Sequence, residues 1–414
     1  MNAQPERSAT VAHIVGIDRF DIELEAWLTA SQWTIRRNLL SHAVEVHRPN
    51  GIVPMTDERL AEIRFTFKYA TNGQEPAKDK IVDALILIAE RRAYHPVLDY
   101  LAALQWDGIP RLDGWLVEYA GAADTALNRA FGRKSLCAAV RRVKKPGCKF
   151  DHVPVLQGTQ DLGKSSLIRA LCPNPAWFTD QAKVGADAKE TIERTSGAWL
   201  VELAELDGAG RREANAVKSF ITTVTDKARP AYARYAVERA RQFVLFGTTN
   251  ETAFLNDMTG NRRWWPVAVT RCDVAGLIGN RDQLWAEAMQ AEPNEALWLD
   301  NEALKTDAAV LTSAAVDYGP WLDVLADRIP PGPIKITVAD VWRLVGIGAG
   351  DVNKISVQGR TALKRAMVGL GFEPESKNIR RDGRQVRAFV RGDIAEAKWW
   401  SPGIPLQRNG DPKW

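Results

Sequence analysis

The chain has 414 residues, with 55 Lys and Arg against 51 Asp and Glu and a formal net charge of +4. That length predicts two or three domains, and so small a net charge confines any nucleic-acid surface to a local patch. The cysteines Cys137, Cys148, Cys172 and Cys272 form no C-x-x-C pair and no cluster with histidines, and no apolar run approaches a membrane span or a signal-peptide core; these features argue against a zinc site, a membrane segment and secretion, and predict a cytoplasmic protein with reduced thiols.

In chain order, residues 1–17 are polar, and Phe20 to Ala30 has the pattern of an amphipathic helix. The type of Trp33 to Leu40 is open. Val44 to Val46 followed by Pro49-Asn-Gly51 predicts a short strand and turn. Helices follow over Asp57 to Tyr69, with Asp57 as cap, over Asp79 to Arg92, and from His95 to Leu104 with Pro96 at its start. Trp106 to Asp113 reads as a loop, and Leu127 to Val143 as a basic helix. Residues 1–149 are thus expected to be a mainly helical N-terminal region.

Val153 to Gln157 is an apolar run of strand length. It enters Gly158-Thr159-Gln160-Asp161-Leu162-Gly163-Lys164-Ser165-Ser166, which opens a helix-patterned segment stopped by Pro173. Strand, G-x-x-x-x-G-K-S and helix in this order are the context of a P-loop. The glycines let successive N–H groups curl inward around phosphate oxygens, and the helix N-terminus adds partial positive charge. Lys164 would reach the β- and γ-phosphates of ATP, and the Ser165 hydroxyl would ligate Mg²⁺.

Apolar strands alternate with helices from residue 150 to about 272, at Val153–Gln157, Ala198–Leu203, Arg241–Gly247 and Trp264–Val269. This predicts an α/β core with a mainly parallel sheet and ligands at the carboxyl ends of its strands. Leu-Val-Glu202-Leu-Ala-Glu205 ends one strand with two acids: Glu202 is placed to hold Mg²⁺ directly or through water, and Glu205 to polarise the attacking water, or the reverse. Asn250, after another buried run, would orient that water or sense the γ-phosphate. Arg262 and Arg263, before Trp264 and Trp265, fit an arginine finger from a neighbouring subunit, or an arginine pair packed on the two indoles.

Basic residues alternate with tyrosines in Lys227-Ala-Arg229-Pro-Ala-Tyr232-Ala-Arg234, a pattern suited to tracking a phosphate backbone while rings stack on bases, and equally to an ordinary exposed loop. Towards the C-terminus, a helix over Val338 to Val345, a second over Gly359 to Leu370 bearing Arg360 and Lys364, and a hairpin around Asp382-Gly383 have the order of a winged helix. Arg380, Arg381, Arg384, Arg387 and Arg391 would cluster on its wing. The expected division is 1–149, a core over 150–310, the winged-helix-like domain over 320–395 and a disordered tail over 396–414.

Taken together, His95-Pro-Val-Leu-Asp-Tyr-Leu, Trp106-Asp-Gly-Ile-Pro-Arg-Leu, Pro146-Gly-Cys-Lys-Phe-Asp, the P-loop, Glu202-Leu-Ala-Glu-Leu, Thr248-Thr-Asn-Glu and Thr259-Gly-Asn-Arg-Arg-Trp-Trp-Pro-Val resemble the virulence-associated E family. Its members are P-loop ATPases of phages and mobile elements, similar to superfamily-three helicases and often linked to primases. The resemblance, over residues 90–290, implies an AAA+-like core that forms homo-oligomeric rings, with a hexamer as the candidate ring size. It also implies Lys164 and Ser165 as nucleotide and Mg²⁺ residues, Glu202 and Glu205 as Walker B acids, Asn250 as sensor, and Arg262 or Arg263 as finger. Glu202 departs from the aspartate common at its position, and no segment resembles a primase catalytic domain. The expected function is an ATP-dependent DNA helicase or translocase in phage or mobile-element replication, acting on single-stranded DNA, with a primase or other replication protein as a possible partner. The alternatives are a non-translocating, DNA-binding ATPase switch and, against the basic C-terminal wing, a small-molecule kinase.

Overall fold

The structure, a computed structural model, describes residues 19–71, 76–204, 211–229, 235–255, 261–348 and 350–403. The described parts of Met1–Glu205, Ala216–Asn250 and Arg263–Ala308 make one compact unit, and those of Leu206–Asn215, Glu251–Arg262 and Ala309–Trp414 a second.

The first unit begins with α1 (Arg19–Ala30) and a three-stranded antiparallel meander, β1 (Thr34–Arg37), β2 (Val44–Arg48) and β3 (Gly51–Pro54), followed by α2 (Asp57–Ala70) and α3 (Lys78–Arg91). Leu24, Ile35, Val46, Ile63, Ile81 and Ile88 from these elements share one apolar core. The run Trp33 to Leu40 contains β1, so this region is built on a small sheet as well as helices. The cap of α2 is Thr56, whose hydroxyl accepts the Arg59 N–H; Asp57, the expected cap, is the first helical residue.

Next come α4 (Pro96–Ala103), α5 (Trp115–Ala120) and α6 (Ala126–Lys144). The His95 ring caps α4 by accepting the Leu98 N–H, and Pro96 occupies the first turn, where no intrahelical donor is needed. Most basic residues of α6 are matched by acids of the same chain. Arg133 and Lys134 pair with Glu295 at 2.6 and 2.7 Å, and Arg141 and Lys144 with Glu292 at 2.5 and 3.0 Å.

The remainder of this stretch alternates β4 (Val153–Gln157), α7 (Lys164–Ala170), β5 (Phe178–Thr179), α8 (Ala188–Thr195), β6 (Leu200–Leu203), α9 (Arg211–Thr222), a β7 (Thr225–Ala228) and β8 (Val237–Ala240) hairpin, β9 (Val244–Thr249), β10 (Trp264–Ala268) and α10 (Val274–Ala291). The five strands β10-β4-β9-β6-β5 form one sheet in that order, every pairing parallel. All of β6 and β9, and all of β4 but Gln157, are buried, which is why they read as apolar runs interrupted only by Glu202 and by Thr248 and Thr249 towards their carboxyl ends. Aromatic rings fill the adjoining layers: Trp265 stacks on Phe131 and His152 at 4.7 and 4.4 Å between centroids, and Trp199 lies 4.1 Å from Trp285.

After α11 (Glu302–Ala314), the second unit runs through α12 (Leu322–Ala326), β11 (Ile334–Thr337), α13 (Val338–Leu344), α14 (Val357–Gly369), β12 (Lys377–Arg381), β13 (Arg384–Arg391) and β14 (Lys398–Trp399). The sheet order is β12-β13-β11-β14, and a core of its own includes Leu325, Ile336, Trp342, Leu363, Met367 and Phe389. Asp382 and Gly383 both have positive φ, 48° and 77°, as a two-residue hairpin turn requires. β14 and the core contact of Trp400 fall inside the stretch expected as a tail; residues 404–414 lie outside the described residues.

Candidate functional site

The loop between β4 and α7 leaves the carboxyl edge of the parallel sheet. Two glycines shape it for different reasons. Gly163 sits at φ 91°, which L side chains rarely adopt. A Cβ on Gly158 would lie 2.8 Å from the Val269 carbonyl oxygen, so the strand-to-loop bend needs a residue without one.

Lys164 begins α7 and is only 7% exposed. Its ammonium donates to the carbonyls of Gly158 and Thr159 at 2.8 and 2.7 Å and to Asn250 Oδ1 at 2.9 Å, so all three of its N–H groups are engaged. Asn250 is exposed just past the end of β9, the neighbour of β4. The lysine and the asparagine at these two strand ends are thus in direct contact.

One residue further, Ser165 Oγ donates to Glu202 Oε1 at 2.6 Å. Glu202 comes from β6, on the far side of β9, and β9 itself supplies Thr248, whose hydroxyl donates to the same oxygen at 2.7 Å. The carboxyl group is 1% exposed, and its other oxygen, Oε2, is buried with no hydrogen-bond partner among the described residues. A buried carboxylate oxygen without a donor is a costly arrangement, and a hard divalent cation is a partner that would satisfy it. Ser165 and Glu202 therefore fit Mg²⁺ by donor type, small hard oxygen ligands, and by this orphaned atom. The sequence alone assigns Thr248 no role, although the residue opens the Thr248-Thr-Asn-Glu motif.

Cys272 lies against the same loop, its Cβ 3.4 Å from where a Gly163 side chain would begin. Burial pushes its thiol up, partly offset by the Lys164 charge.

Arg263 is at the opposite edge. The register of β10 on β4 pairs Trp264 with Val153 and Ala268 with Gln157, so the residue preceding β10 is about 20 Å from the loop along the strands. Arg263 is half-buried, and its neighbour Arg262 is exposed. The fold does not bring Arg263 to the Lys164 cluster of its own chain.

Of the expected nucleic-acid residues, Lys227 is on β7 and pairs with Glu238 at 2.7 Å, and Arg229, just after β7, is exposed. Glu205, Tyr232 and Arg234 lie outside the described residues, as do Thr259 and Gly260 of the motif before Arg262. In the second unit Arg360 is exposed, and Lys364 pairs with Glu375 at 2.8 Å. The five hairpin arginines do not share one surface. Cross-strand pairing sets Arg381 opposite Arg384, and Arg380 opposite Gln385 beside Asn378 opposite Arg387, on alternating faces. Arg381 turns onto the Trp399 ring and donates to Ser401 Oγ at 2.9 Å, while Arg391 is held by the carbonyls of Gly332, Leu370 and Pro330. The expected five-arginine cluster is corrected to three exposed arginines, Arg380, Arg384 and Arg387, divided between two faces.

No described helix is long and apolar enough to cross a membrane. The model of the virulence-associated protein E-like domain matches residues 101–313, just over half of the chain. No curated protein matches. Among solved structures, the apo structure of the NrS-1 C-terminal region (305–718) aligns with a TM-score of 0.48 at 13% identity, covering 91% of this chain and 100% of that one. An A-form apo structure of the same region aligns with a TM-score of 0.45 at 12% identity, over 89% of this chain and 99% of the other. The family match is the informative comparison, and by it the chain belongs to the virulence-associated protein E-like family.

Proposed function

We propose that this virulence-associated E-like protein is an ATP-dependent DNA helicase or translocase of phage or mobile-element replication, with an AAA+-like P-loop core, a winged-helix-like C-terminal domain and ATP hydrolysed between subunits. The observation that carries the reading is the convergence of Lys164, Ser165, Glu202, Thr248 and Asn250 at the carboxyl ends of β4, β6 and β9. A lysine and a Ser–carboxylate pair beside a Gly-shaped loop are what a nucleoside triphosphate with its metal requires.

In this reading the loop amides and Lys164 grip the β- and γ-phosphates. The ammonium exchanges its bonds to Gly158, Thr159 and Asn250 for phosphate oxygens, and Asn250, so released, is free to orient the attacking water. Ser165 and Glu202 would hold Mg²⁺, which when bound neutralises charge on the phosphates. Thr248 fixes the Glu202 carboxylate in place. Glu205 polarises the water, and Arg262 or Arg263 of an adjoining copy meets the charge developing on the transferred phosphoryl group. The distance between Arg263 and the loop of its own chain favours a finger supplied in trans. The β7–β8 hairpin and the exposed arginines of the C-terminal sheet contact the DNA backbone.

Strand displacement on a forked duplex tests the whole reading. The wild-type protein is expected to unwind it only with ATP and Mg²⁺, and Lys164→Ala to be inactive. Hydrolysis without unwinding would replace the translocase with an ATPase switch, and absence of hydrolysis would remove the catalytic reading altogether.

A further inference from the structure

At the amino edge of the parallel sheet, away from Lys164, a cleft of about 70 Å³ is bordered by the segments leading into β6 and β9 and by the turn between β1 and β2. Its lining includes Ser41, His42, Ser196 and Arg239. The walls are tied together. Asn38 Oδ1 accepts the Leu40 and Ser41 N–H groups, Ser196 Oγ donates to the Ser41 carbonyl at 3.0 Å, and Gln242 Nε2 donates to the Leu39 carbonyl at 2.8 Å. His42 is held at φ 59°, a conformation seldom taken by a residue with a side chain.

The charges around this cleft do not balance. Arg241 and Asp226, both buried, neutralise each other through a bidentate pair at 2.6 and 2.7 Å. Arg37 is matched by Glu90 at 2.6 Å and also donates to the His42 carbonyl. Arg239 is on β8 and half-buried, and its guanidinium has neither a hydrogen bond nor an ion pair among the described residues. Burial holds its guanidinium below the usual range, with repulsion from Arg37 next, and Glu90, the carboxylate already paired with Arg37, acts the other way. Burial also takes His42 down to about 4, with Arg239 and Arg37 adding to the effect. A desolvated cation beside a second cation is unfavourable until an anion arrives.

We propose that this cleft receives one backbone phosphate of a nucleic-acid strand lying along the β7–β8 hairpin, gripped by the Arg239 guanidinium fork with the Ser41 hydroxyl beside it. The volume suits a single tetrahedral anion, and arginine is the side chain whose planar fork matches its oxygens. Arg239 lies opposite Asp226 in the hairpin, while the next rung, the Lys227–Glu238 pair, is neutral and faces the other side, so Arg239 is the cation that the hairpin turns towards the cleft. This assignment rests on the nucleic-acid-binding reading above.

The test is binding of a single-stranded DNA oligonucleotide by fluorescence anisotropy across a salt series. Wild type, Arg239→Gln and Ser41→Ala are compared, with melting and ATP hydrolysis measured alongside. Arg239→Gln is expected to bind more weakly and to lower the slope of log affinity against log salt by about 0.7, the loss of one single-strand phosphate contact. Ser41→Ala is expected to weaken binding with the slope unchanged, and it serves alone if Arg239→Gln fails to fold. Basal hydrolysis should be unaffected in both. If wild type binds DNA while neither variant differs from it, the cleft assignment fails and the broader reading stands. If wild type binds no DNA, both fall. If inorganic phosphate raises the melting temperature of wild type but not of Arg239→Gln, while the DNA slopes coincide, the cleft takes a free ion and the backbone assignment is overturned.

Discussion

Ser165 and Glu202 meet at 2.6 Å although they belong to different elements and the strand between them, β9, intervenes in the sheet. Thr248 of that strand closes the gap by donating to the same carboxylate oxygen. Thr248→Val keeps the shape and removes the donor. It is expected to cost about 1.5–3 kcal/mol of stability, the worth of a hydrogen bond to a charged group, read as a lower denaturant midpoint. In the proposed function it also weakens Mg²⁺ dependence, seen as a higher Mg²⁺ requirement for hydrolysis with ATP affinity less affected. A variant matching wild type in both would remove Thr248 as a positioning residue.

Glu202→Gln removes the charge while leaving an acceptor for Ser165. Nucleotide binding is expected to survive and hydrolysis to fall by roughly 10²-fold or more, the scale at which a misplaced catalytic constellation is felt. Binding of a fluorescent ATP analogue, measured beside phosphate release, separates the two effects.

Arg262→Ala and Arg263→Ala are each tested for a finger in trans. The variant lacking the true finger is expected to bind ATP yet lose hydrolysis by about 10³-fold or more. Mixing it with Lys164→Ala subunits should restore part of the activity, because some sites then join an intact loop to an intact arginine. Full activity in both arginine variants, or no recovery on mixing, would contradict a shared site.

Arg241 and Asp226 are 4% and 7% exposed and pair at the base of the β7–β8 hairpin, where Arg241 also lies over the Phe220 and Phe243 rings. Asp226→Ala leaves that guanidinium buried and unpaired and is expected to cost about 3–5 kcal/mol. Replacing both residues with apolar ones of similar size should cost much less, and chemical denaturation of the two variants checks the difference.

His42 provides a pH signature. Its ordinary value of 6.5 falls to about 4 in the folded protein, so between those values the unfolded chain binds more protons. Stability contributed by the neutral ring is complete above about 6.5 and is lost as pH falls towards 4. The denaturation midpoint of wild type should decline over this window more steeply than that of His42→Asn.

The sequence carried the buried strands most clearly. β4 runs from Val153 to Gln157, as the apolar pattern predicts, because a parallel strand covered on both faces leaves no polar interruption. β9 begins at Val244 rather than Arg241, since Arg241 is committed to Asp226 and Gln242 to His95 and Leu39. β5, two residues long, has no period to detect. Lys164, Ser165, Glu202 and Asn250 were recognisable because local context marks each one, and the structure gathers them; Thr248 was not, because its role depends on which strands are neighbours. The arginines of β12 and β13 were counted correctly but not sorted by face, and the charges of α6 were consumed by glutamates roughly 150 positions later in the chain.

The separate apolar interior beneath α13, α14 and β13 has a calorimetric consequence. Two regions that each bury their own side chains need not melt together, and a single transition temperature then describes neither. Heating should give a broadened or split endotherm, and a ligand confined to the Lys164 loop should move only the component belonging to the part of the polypeptide that holds it.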